Sequence, residues 1–427
     1  MDQNTITQVK LFNPWLEGRG EIVSSTMNYR PRTQLNMLLK TEWDSLVTLL
    51  VGPRQAGKTT LGKYLAQSLI QTGRFTQLLY LNCDSPLIRN WLTGIHILED
   101  ISEVFELNGY ILFIDEVQRL ENPGLFLKAM IDLKLPIKII ASGSSYIEIQ
   151  SRVQEFLTGR HFEATILPFS YAELGKMSLL ERYLNYGCYP QVTQSTEQKR
   201  LLMLLYQTYI NKDIVEILKI GMPAILEKLM VLIAHSSGQL INLNKFSVDC
   251  QVSVTTIRHY FDVLQKTYVI ATVNPFVGNK RVEIKSAKKC CFLDNGFRNQ
   301  ALGNFQSIAE RYDKGLLVES AVFQEIYKYK KQHFLDYEIY YWRTKNGAEV
   351  DFVLRCDDGQ IYPVEVKYQP MKSANISRSY HSFIDAYRPT KGAIITLAYA
   401  GEVKLENTIV RFIPVRKMHQ LFKWLEL

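Results

Sequence analysis

"TLLVGPRQAGKTTLGKYLAQSL", residues 48–69, is the stretch that decides the fold of the N-terminal part of the chain. An apolar run ends at Gly52, and after a short loop Gly57, Lys58 and Thr59 open an amphipathic helical pattern. Glycines let backbone N–H groups turn inward around a phosphate, and the helix N-terminus adds a favourable dipole. Because the strand, loop and helix follow in the required order, the pattern predicts nucleotide binding rather than a glycine turn with a chance lysine.

The residue types of this loop assign roles within a nucleotide site. Lys58 is expected to reach the β- and γ-phosphates of ATP, and the Thr59 hydroxyl is expected to bind Mg²⁺. We predict that the whole loop contacts ATP, and its residues are Gly52, Pro53, Arg54, Gln55, Ala56, Gly57, Lys58, Thr59 and Thr60.

A second element, "GYILFIDEVQRL" at residues 109–120, supplies two carboxylates. Its apolar residues predict a strand that delivers Asp115 and Glu116 at its carboxyl end, where ligands bind in doubly wound sheets. Asp115 is expected to hold Mg²⁺, and Glu116 to polarise the attacking water as the catalytic base. The alternative, an acidic pair that caps a helix, is less favoured because the pair follows a phosphate loop by about sixty residues.

A third strand pattern, "PIKIIASGSSY" at 136–146, ends in small polar residues. Ser144 is our first choice for a side chain that senses the γ-phosphate, and Ser142 is the second; the alternative is an ordinary Ser/Gly turn. Farther on, Arg152 and Arg160 are candidates for a catalytic arginine that stabilises transition-state charge, in the same chain or in a neighbour's site. Arg160 is preferred, and a plain surface role is the alternative for both.

Three strands that end in a phosphate loop, an Asp-Glu pair and a Ser/Thr tip resemble the AAA+ and related P-loop ATPases. Over almost the whole chain, the motifs resemble a large prokaryotic group that joins an AAA-type ATPase domain to a C-terminal domain of unknown function, described as restriction-endonuclease-like. These motifs are "GPRQAGKTT" (52–60), "YLNCDSP" (80–86), "FIDEVQRL" (113–120), "ASGSS" (141–145), "LTGR" (157–160), "LPFSYAEL" (167–174) and "NYGCYPQV" (185–192). Cys188 stands where glycine is common in the group, a departure in a loop outside the nucleotide site.

Composition bounds the class of protein. The 427 residues suggest two or three domains, and 47% hydrophobic with 22% charged residues is a normal globular balance. The net charge of +8 weakly favours an anionic partner such as nucleic acid, with a solvated surface as the alternative. Six scattered cysteines without a C-x-x-C pair predict reduced thiols and a cytoplasmic protein. The first residues do not form a signal-peptide pattern, and no apolar run predicts a membrane span.

Pattern changes along the chain predict its domains. A partly ordered lead-in precedes an α/β core, a helical lid, a winged-helix-like module and a further α+β domain, with a linker near residues 304–315. The predicted bounds are 1–45, 46–165, 166–225, 226–300 and 310–427.

The segment 240–270 has helix-turn-helix spacing. A short helix from Leu243 is followed by a turn at "CQVS" and a second helix, which Ser253 or Thr255 would cap. Its apolar face is formed by Ile257, Tyr260, Phe261 and Leu264, and its exposed face includes Thr256, Arg258 and His259. A basic hairpin then resembles the wing with which winged-helix domains bind phosphates, and its cations are Lys280, Arg281, Lys285, Lys288 and Lys289. A protein-binding module or a structural link is the alternative.

Two alternating strand patterns, "EVDFVL" and "YPVEVKY", flank a hairpin turn within residues 340–368. Their alternation puts Asp351, Glu365 and Lys367 on a common face. Upstream, the helical stretch 315–329 places Glu319 at the border of its apolar face. A carboxylate there requires a partner or a metal, because an unpaired buried charge is unfavourable.

A helical Glu, a strand Asp and a following Glu-x-Lys resemble the PD-(D/E)xK nuclease core. The resemblance implies that Asp351 and Glu365 coordinate Mg²⁺, a hard cation that prefers oxygen ligands. Lys367 would orient or activate the attacking water, and Glu319 would make a further contact to the metal site. The alternatives are a cross-strand salt bridge on an exposed face and an inactive nuclease fold.

Together these patterns predict a P-loop NTPase parallel sheet of AAA+ type, a helical and winged-helix module, and a restriction-endonuclease-like C-terminal domain. The predicted function is ATP hydrolysis coupled to a nuclease-like, DNA-associated domain, for which Mg-dependent DNA cleavage and an inactive nuclease fold are both considered. DNA is the expected partner, and a homo-oligomer is also considered. The alternatives are an ATP-driven switch that binds a protein partner and a chaperone-like remodelling ring.

Overall fold

A computed structural model describes residues 3–23, 29–93, 109–134, 136–144, 157–175, 180–216, 221–277 and 287–427. The chain divides into two compact units. We call Met1–Pro168 the N-terminal unit and Phe169–Leu427 the C-terminal unit.

Short apolar runs of the N-terminal unit form one parallel sheet. Its strands are β1 Val47–Val51, β2 Gln77–Asn82, β3 Tyr110–Asp115, β4 Lys138–Gly143 and β5 His161–Thr165. They lie in the order β2-β3-β4-β1-β5, and every pairing is parallel. The α/β prediction is therefore confirmed. Because parallel strands end at one edge, the segments that follow β1, β3 and β4 meet there.

The helices of this unit are α1 Gln3–Phe12, α2 Gln34–Leu38, α3 Lys58–Gln71, α4 Pro86–Leu92 and α5 Pro123–Asp132, with 3-10 turns at Pro14–Glu17, Thr41–Trp43 and Val117–Arg119. Helix α3 packs closely on β3. A Cβ at Gly62 would lie 2.4 Å from the Phe113 ring, so glycine is required inside this helix despite its low helix propensity.

Residues 3–17, which belong to the lead-in predicted at 1–45, cover the free edge of β2. The side chain of Asn13 accepts the Tyr80 N–H and donates to the Tyr80 carbonyl at 2.8 Å. The Trp15 indole N–H donates to the Leu78 carbonyl at 2.7 Å. These side-chain bonds occupy backbone groups that an edge strand would otherwise leave unpaired.

The helices of the C-terminal unit are α6 Tyr171–Leu174, α7 Leu180–Tyr186, α8 Pro190–Gln194, α9 Gln198–Thr208, α10 Pro223–His235, α11 Leu243–Cys250, α12 Val254–Lys266, α13 Asn295–Leu302, α14 Lys314–Gln332, α15 Arg378–Tyr387 and α16 Gln420–Leu425, with a π-helical segment at Tyr209–Glu216 and a 3-10 turn at Val415–Lys417. The predicted helix pair forms as α11 and α12. Ser253 caps α12 by accepting the Thr256 N–H at 3.0 Å, and the predicted apolar face is buried.

The sheet of this unit contains β6 Ile270–Pro275, β7 Lys289–Phe292, β8 Glu338–Arg343, β9 Glu349–Arg355, β10 Ile361–Lys367, β11 Lys391–Thr396, β12 Gly401–Leu405 and β13 Thr408–Pro414. Their order is β12-β13-β11-β10-β9-β8-β6-β7. The β6–β7 hairpin, predicted as a wing of the middle module, continues this sheet through the pairs Asn274–Tyr340 and Pro275–Tyr341. The tip of the hairpin lies outside the described residues, and with it the predicted cations Lys280, Arg281 and Lys285.

The segment predicted as a linker, residues 304–315, is ordered. Arg311 and Asp313 are buried in this segment. Asp313 accepts hydrogen bonds from Arg311 at 2.8 Å and from Arg298 of α13 at 2.9 Å. Buried ion pairs with Arg311, two residues away, and with Arg298, fifteen residues away, hold the segment in place, which its polar composition did not indicate.

Candidate functional site

The phosphate-loop residues adopt a loop that only glycine can form at two positions. Gly52 has a φ of +145°, and a Cβ there would lie 2.0 Å from the Ile166 carbonyl oxygen. Gly57 has a φ of +97° immediately before α3. Lys58, the first residue of α3, is buried, and its Nζ donates to the carbonyls of Gly52 at 3.0 Å and Pro53 at 2.9 Å. Its ammonium group therefore lies over the loop from Gly52 to Thr60.

Asp115 ends β3 beside this loop. Its Oδ2 accepts hydrogen bonds from the Thr59 hydroxyl and the Tyr80 hydroxyl, both at 2.8 Å. Its Oδ1 accepts a hydrogen bond from Ser142. A threonine hydroxyl and a carboxylate in contact are hard oxygen donors of the kind that Mg²⁺ selects, so the donor set fits the predicted magnesium site.

Glu116 follows in a left-handed backbone conformation, with a φ of +55°. Its Oε2 accepts hydrogen bonds from Gln118 at 2.5 Å and from Ser144 at 3.0 Å. Gln118 also donates to Ser144 at 3.0 Å. The carboxylate is thus held between two polar side chains at the carboxyl edge of the sheet.

The electrostatic surroundings give the two carboxyl groups different pKa values. Burial raises the pKa of Asp115, and the repulsion of Glu116 adds to this effect against its hydrogen bonds. Burial also acts to raise the pKa of Glu116, but Lys58, Gln118 and Arg54 outweigh it, so that this pKa is lowered. Glu116 is therefore ionised at neutral pH, the state in which a carboxylate accepts a proton.

Arg160 lies away from this site. It precedes β5, whose first residue pairs with Val47 at the start of β1, and its guanidinium binds Asp132 at 2.6 Å. Val47 and Val51 are the first and last residues of β1, and the four residue steps between them span about 13 Å. The prediction that Arg160 acts in the nucleotide site of its own chain is therefore wrong; a role in a neighbour's site stays a prediction. Arg152 lies outside the described residues.

Sequence reasoning missed two residues of this site, Tyr80 and Gln118. Both are buried and touch a predicted carboxylate directly. Gln118 stands two residues after Glu116 within the quoted motif, so its position was a usable signal. Tyr80 lies within the apolar pattern of β2, where an aromatic residue is ordinary and gives no signal.

The predicted C-terminal site residues come from three elements, which are one helix and two neighbouring strands of the sheet. Glu319 lies on α14, Asp351 on β9, and Glu365 and Lys367 on β10. The β9–β10 pairing runs from Arg355–Ile361 to Phe352–Val364. Beyond it, the Val366 N–H donates to Asp351 Oδ2 at 2.7 Å. The Asp351 side chain therefore replaces a backbone carbonyl where the two strands separate.

Glu365 and Lys367 form an ion pair. Glu365 is buried, and both of its carboxylate oxygens accept from the Ser377 hydroxyl at 3.1 Å. This ion pair joins two residues of the same strand, β10, and its carboxylate is buried. It therefore differs from the exposed cross-strand salt bridge considered from the sequence.

Lys289 requires a correction. It was predicted as a phosphate-binding cation of an exposed hairpin, but it is buried in β7. Its Nζ lies 2.5 Å from Glu349 and 3.5 Å from Glu319. Burial acts to lower the pKa of Lys289, yet the attraction of Glu319, Asp351 and Glu349 is stronger and raises it. Lys289 is therefore a fixed internal cation among carboxylates, whereas Lys288 is exposed.

The two facing carboxyl groups have raised pKa values. For Glu319 the causes are burial and then the charge of Asp351. For Asp351 burial is again the largest cause, and Glu365 adds to it. Partly buried carboxylates that repel each other favour a bound cation or a proton.

A cavity of about 390 Å³ opens at these groups. It is lined by Tyr312, Asp313, Gly315, Leu316, Glu319, Asp351, Val366 and Lys367. Across the part of the chain that the structure describes, no three His, Cys, Asp or Glu side chains are grouped to hold a metal ion. Asp351 and Glu365 still fit Mg²⁺ in kind, because this ion is commonly bound by one or two carboxylates, with water and phosphate as its other ligands.

Comparison with known families divides the chain into three matched parts. Residues 44–175 match the model described as "AAA domain". Residues 177–307 and 314–418 match two domains of unknown function, DUF8612 and DUF4143. Residues 44–175, which include the parallel α/β sheet of the N-terminal unit, are therefore similar to an AAA domain.

Similar whole proteins include uncharacterized proteins of Mycobacterium bovis and Mycobacterium tuberculosis. Each is 27% identical over 374 residues, which cover 85% of this chain and 79% of the relative. Among solved structures, the Aeropyrum pernix ORC2 protein in its ADP form is similar over 63% of this chain and 92% of its own, with 11% identity and a TM-score of 0.32. AMPPCP-bound DnaA from Aquifex aeolicus is similar over 54% of this chain and 85% of its own, with 14% identity and a TM-score of 0.28.

Among the described helices, none has the length and apolar character needed to cross a bilayer.

Proposed function

We propose that the N-terminal unit binds and hydrolyses ATP. The observation that supports this most directly is the contact between Thr59 and Asp115, 2.8 Å long, beside a Glu116 held by Gln118 and Ser144. A metal ligand pair and an oriented, ionised carboxylate at the mouth of a phosphate loop are the groups that phosphoryl transfer to water requires.

Each residue has a defined task in this proposal. Lys58 and the loop N–H groups bind the phosphates, and Thr59 with Asp115 would hold Mg²⁺, whose positive charge stabilises the developing phosphate charge. Glu116 orients a water molecule and accepts its proton. Ser144 donates to Glu116 in this structure, so we propose that it reports the γ-phosphate to the catalytic base.

The test is steady-state phosphate release from ATP with Mg²⁺, with and without linear double-stranded DNA. We expect Lys58→Ala to remove turnover. Residues 52–60 contain two cationic side chains, Arg54 and Lys58, and Lys58 is the one expected to bind the β- and γ-phosphates. Lys40→Ala, at a lysine that is half exposed, is the matched control and should turn over normally. Unchanged turnover in Lys58→Ala would refute the site, and stimulation by DNA would link it to nucleic acid.

A second function is proposed for the C-terminal unit: nucleic-acid binding with Mg-dependent cleavage of phosphodiester bonds. The supporting observation is that Glu319, Asp351 and Lys367 line one cavity. Asp351 and Glu365 would hold the Mg²⁺ ion, which would polarise the scissile phosphate. Lys367 would orient the attacking water. ATP binding would then control how this site engages DNA.

Asp351→Ala should abolish Mg-dependent cleavage of linear DNA and leave ATP turnover unchanged, because it removes a proposed metal ligand of the C-terminal unit alone. Asp357→Ala, in the exposed turn between β9 and β10, is the control. Cleavage that survives Asp351→Ala would assign it to another site or a contaminant. A wild-type protein that never cuts DNA would favour the alternative, an ATP-driven switch with an inactive nuclease fold and a protein partner.

Two further properties are proposed with these functions. The six cysteines are all free thiols, which supports a reducing, cytoplasmic setting. Arg160 would complete a neighbour's nucleotide site only in a homo-oligomer, and light scattering with and without ATP tests for that assembly.

A further inference from the structure

Tyr312 is a strongly exposed aromatic side chain on a segment that buried ion pairs hold in place. It is 83% exposed, whereas its neighbours Arg311 and Asp313 are 1% and 6% exposed. Asp313 binds Arg311 at 2.8 Å and Arg298 at 2.9 Å, and Arg311 also donates to the Asn304 carbonyl at 3.0 Å. Buried ion pairs on both sides of the ring thus fix the backbone that presents it.

This exposure is unusual within the protein. Of the large apolar side chains that are exposed in the described part of the chain, Tyr312 is the most exposed and the single aromatic one. A flexible loop would explain such exposure without any ligand, but the Arg298–Asp313–Arg311 ion pairs oppose that explanation. A ring held rigidly in water is suited to bind something flat.

The position of the ring indicates what that ligand is. Tyr312 lines the same cavity of about 390 Å³ as Asp351 and Lys367. Lys314, two residues on, is exposed at the start of α14. An aromatic ring on the wall of a cavity that a lysine also lines matches a nucleotide, whose base stacks while its phosphate binds cations.

We propose that Tyr312 is the stacking platform for an unpaired base of single-stranded nucleic acid, with the adjoining phosphate at Lys314 and Lys367. The inference rests on the proposed nucleic-acid function of the C-terminal unit and names its substrate class. A base inside a duplex has both faces covered by its neighbours, so a single ring selects a strand end, a loop or an unwound segment. A protein partner would also cover a tyrosine, and it is one outcome of the test.

The test measures the Kd of the full-length protein for a fluorescent twelve-nucleotide oligo(dT), an oligo(U) of equal length and a twelve-base-pair duplex. Chelator is present, so that no strand is cut. We expect Tyr312→Ala to weaken binding of the single strands by about 5- to 100-fold, the usual effect of removing one stacking ring, while Tyr312→Phe stays within about twofold of wild type because it keeps the ring face. Leu11→Ala, at another strongly exposed apolar residue, is the control.

Each outcome decides the proposal. Wild-type binding to single strands that Tyr312→Ala leaves unchanged overturns the stacking role but keeps the nucleic-acid function. An equal loss for single strand and duplex overturns the selectivity. If the wild-type protein binds none of the three probes, the nucleic-acid function itself fails and the ring belongs to a protein partner. A difference between oligo(dT) and oligo(U) identifies which kind of strand is the ligand.

Discussion

Glu116→Gln is expected to lower the rate of ATP hydrolysis by about 10²- to 10⁴-fold, the contribution of a positioned general base. Glutamine keeps the size of the side chain and can still contact Gln118 and Ser144, but its amide does not accept the proton of water. Because Lys58, Thr59 and Asp115 are unchanged, ATP affinity should stay within about threefold of wild type.

This result is measured by single-turnover hydrolysis together with the binding of a fluorescent ATP analogue. Glu121→Gln, at an exposed position five residues farther along the chain, is the matched control and should hydrolyse ATP normally. A Glu116→Gln protein that binds ATP and still turns it over at the wild-type rate would show that the base is another residue.

Lys289→Met should lower the free energy of unfolding of the C-terminal unit by about 3–5 kcal/mol, the usual effect of removing one partner of a buried ion pair. Methionine fills a similar volume, so the loss arises from charge. Without the ammonium group, Glu319 and Glu349 lose a cation within 3.5 Å and 2.5 Å, and the repulsion between Glu319 and Asp351 is uncompensated. For a domain of this size the fall in Tm is on the order of 10 °C.

Differential scanning calorimetry of the full chain measures this change. Lys288→Met is the control, because Lys288 is exposed next to Lys289 and its loss should leave the transition in place. The double variant Lys289→Met, Glu319→Gln should recover part of the stability, since it neutralises one of the stranded charges. Equal stability of Lys289→Met and wild type would mean that water already screens the cluster. Charge reversal at Lys289 would disrupt this buried cluster, so a change in DNA binding could not be assigned to the lost surface cation. Charge reversal at Lys288, which is exposed, tests DNA binding without that effect.

The geometry of the candidate nucleotide site was largely predictable because short local patterns determine it. A glycine loop after one strand, two carboxylates at the end of another and serines at the end of a third must meet, since parallel strands end at one edge. The same rule excludes Arg160 from that edge, because Arg160 precedes its strand. The direction of β5 could therefore have been used to exclude Arg160, but the choice of Arg160 depended on the resemblance of its motif.

The remaining contacts depend on residues far apart in the chain. Lys289 was interpreted as a surface cation because its acidic partners stand 30 and 60 residues away, and no local pattern indicates them. Tyr80 meets Asp115 across 35 residues for the same reason. In the C-terminal unit, alternation correctly placed Glu365 and Lys367 together, but it could not indicate that Asp351 would replace a backbone carbonyl opposite Val366.

Asn13 and Trp15 have a consequence for how this protein is handled in the laboratory. Their side chains make the bonds to Tyr80 and Leu78 that a neighbouring strand would make through its backbone. Shortening the chain to the phosphate-loop domain alone would uncover β2, and an uncovered strand is a template on which a second molecule adds. Aggregation of such a fragment would then result from the exposed edge of β2, and it would not be evidence that the intact protein assembles.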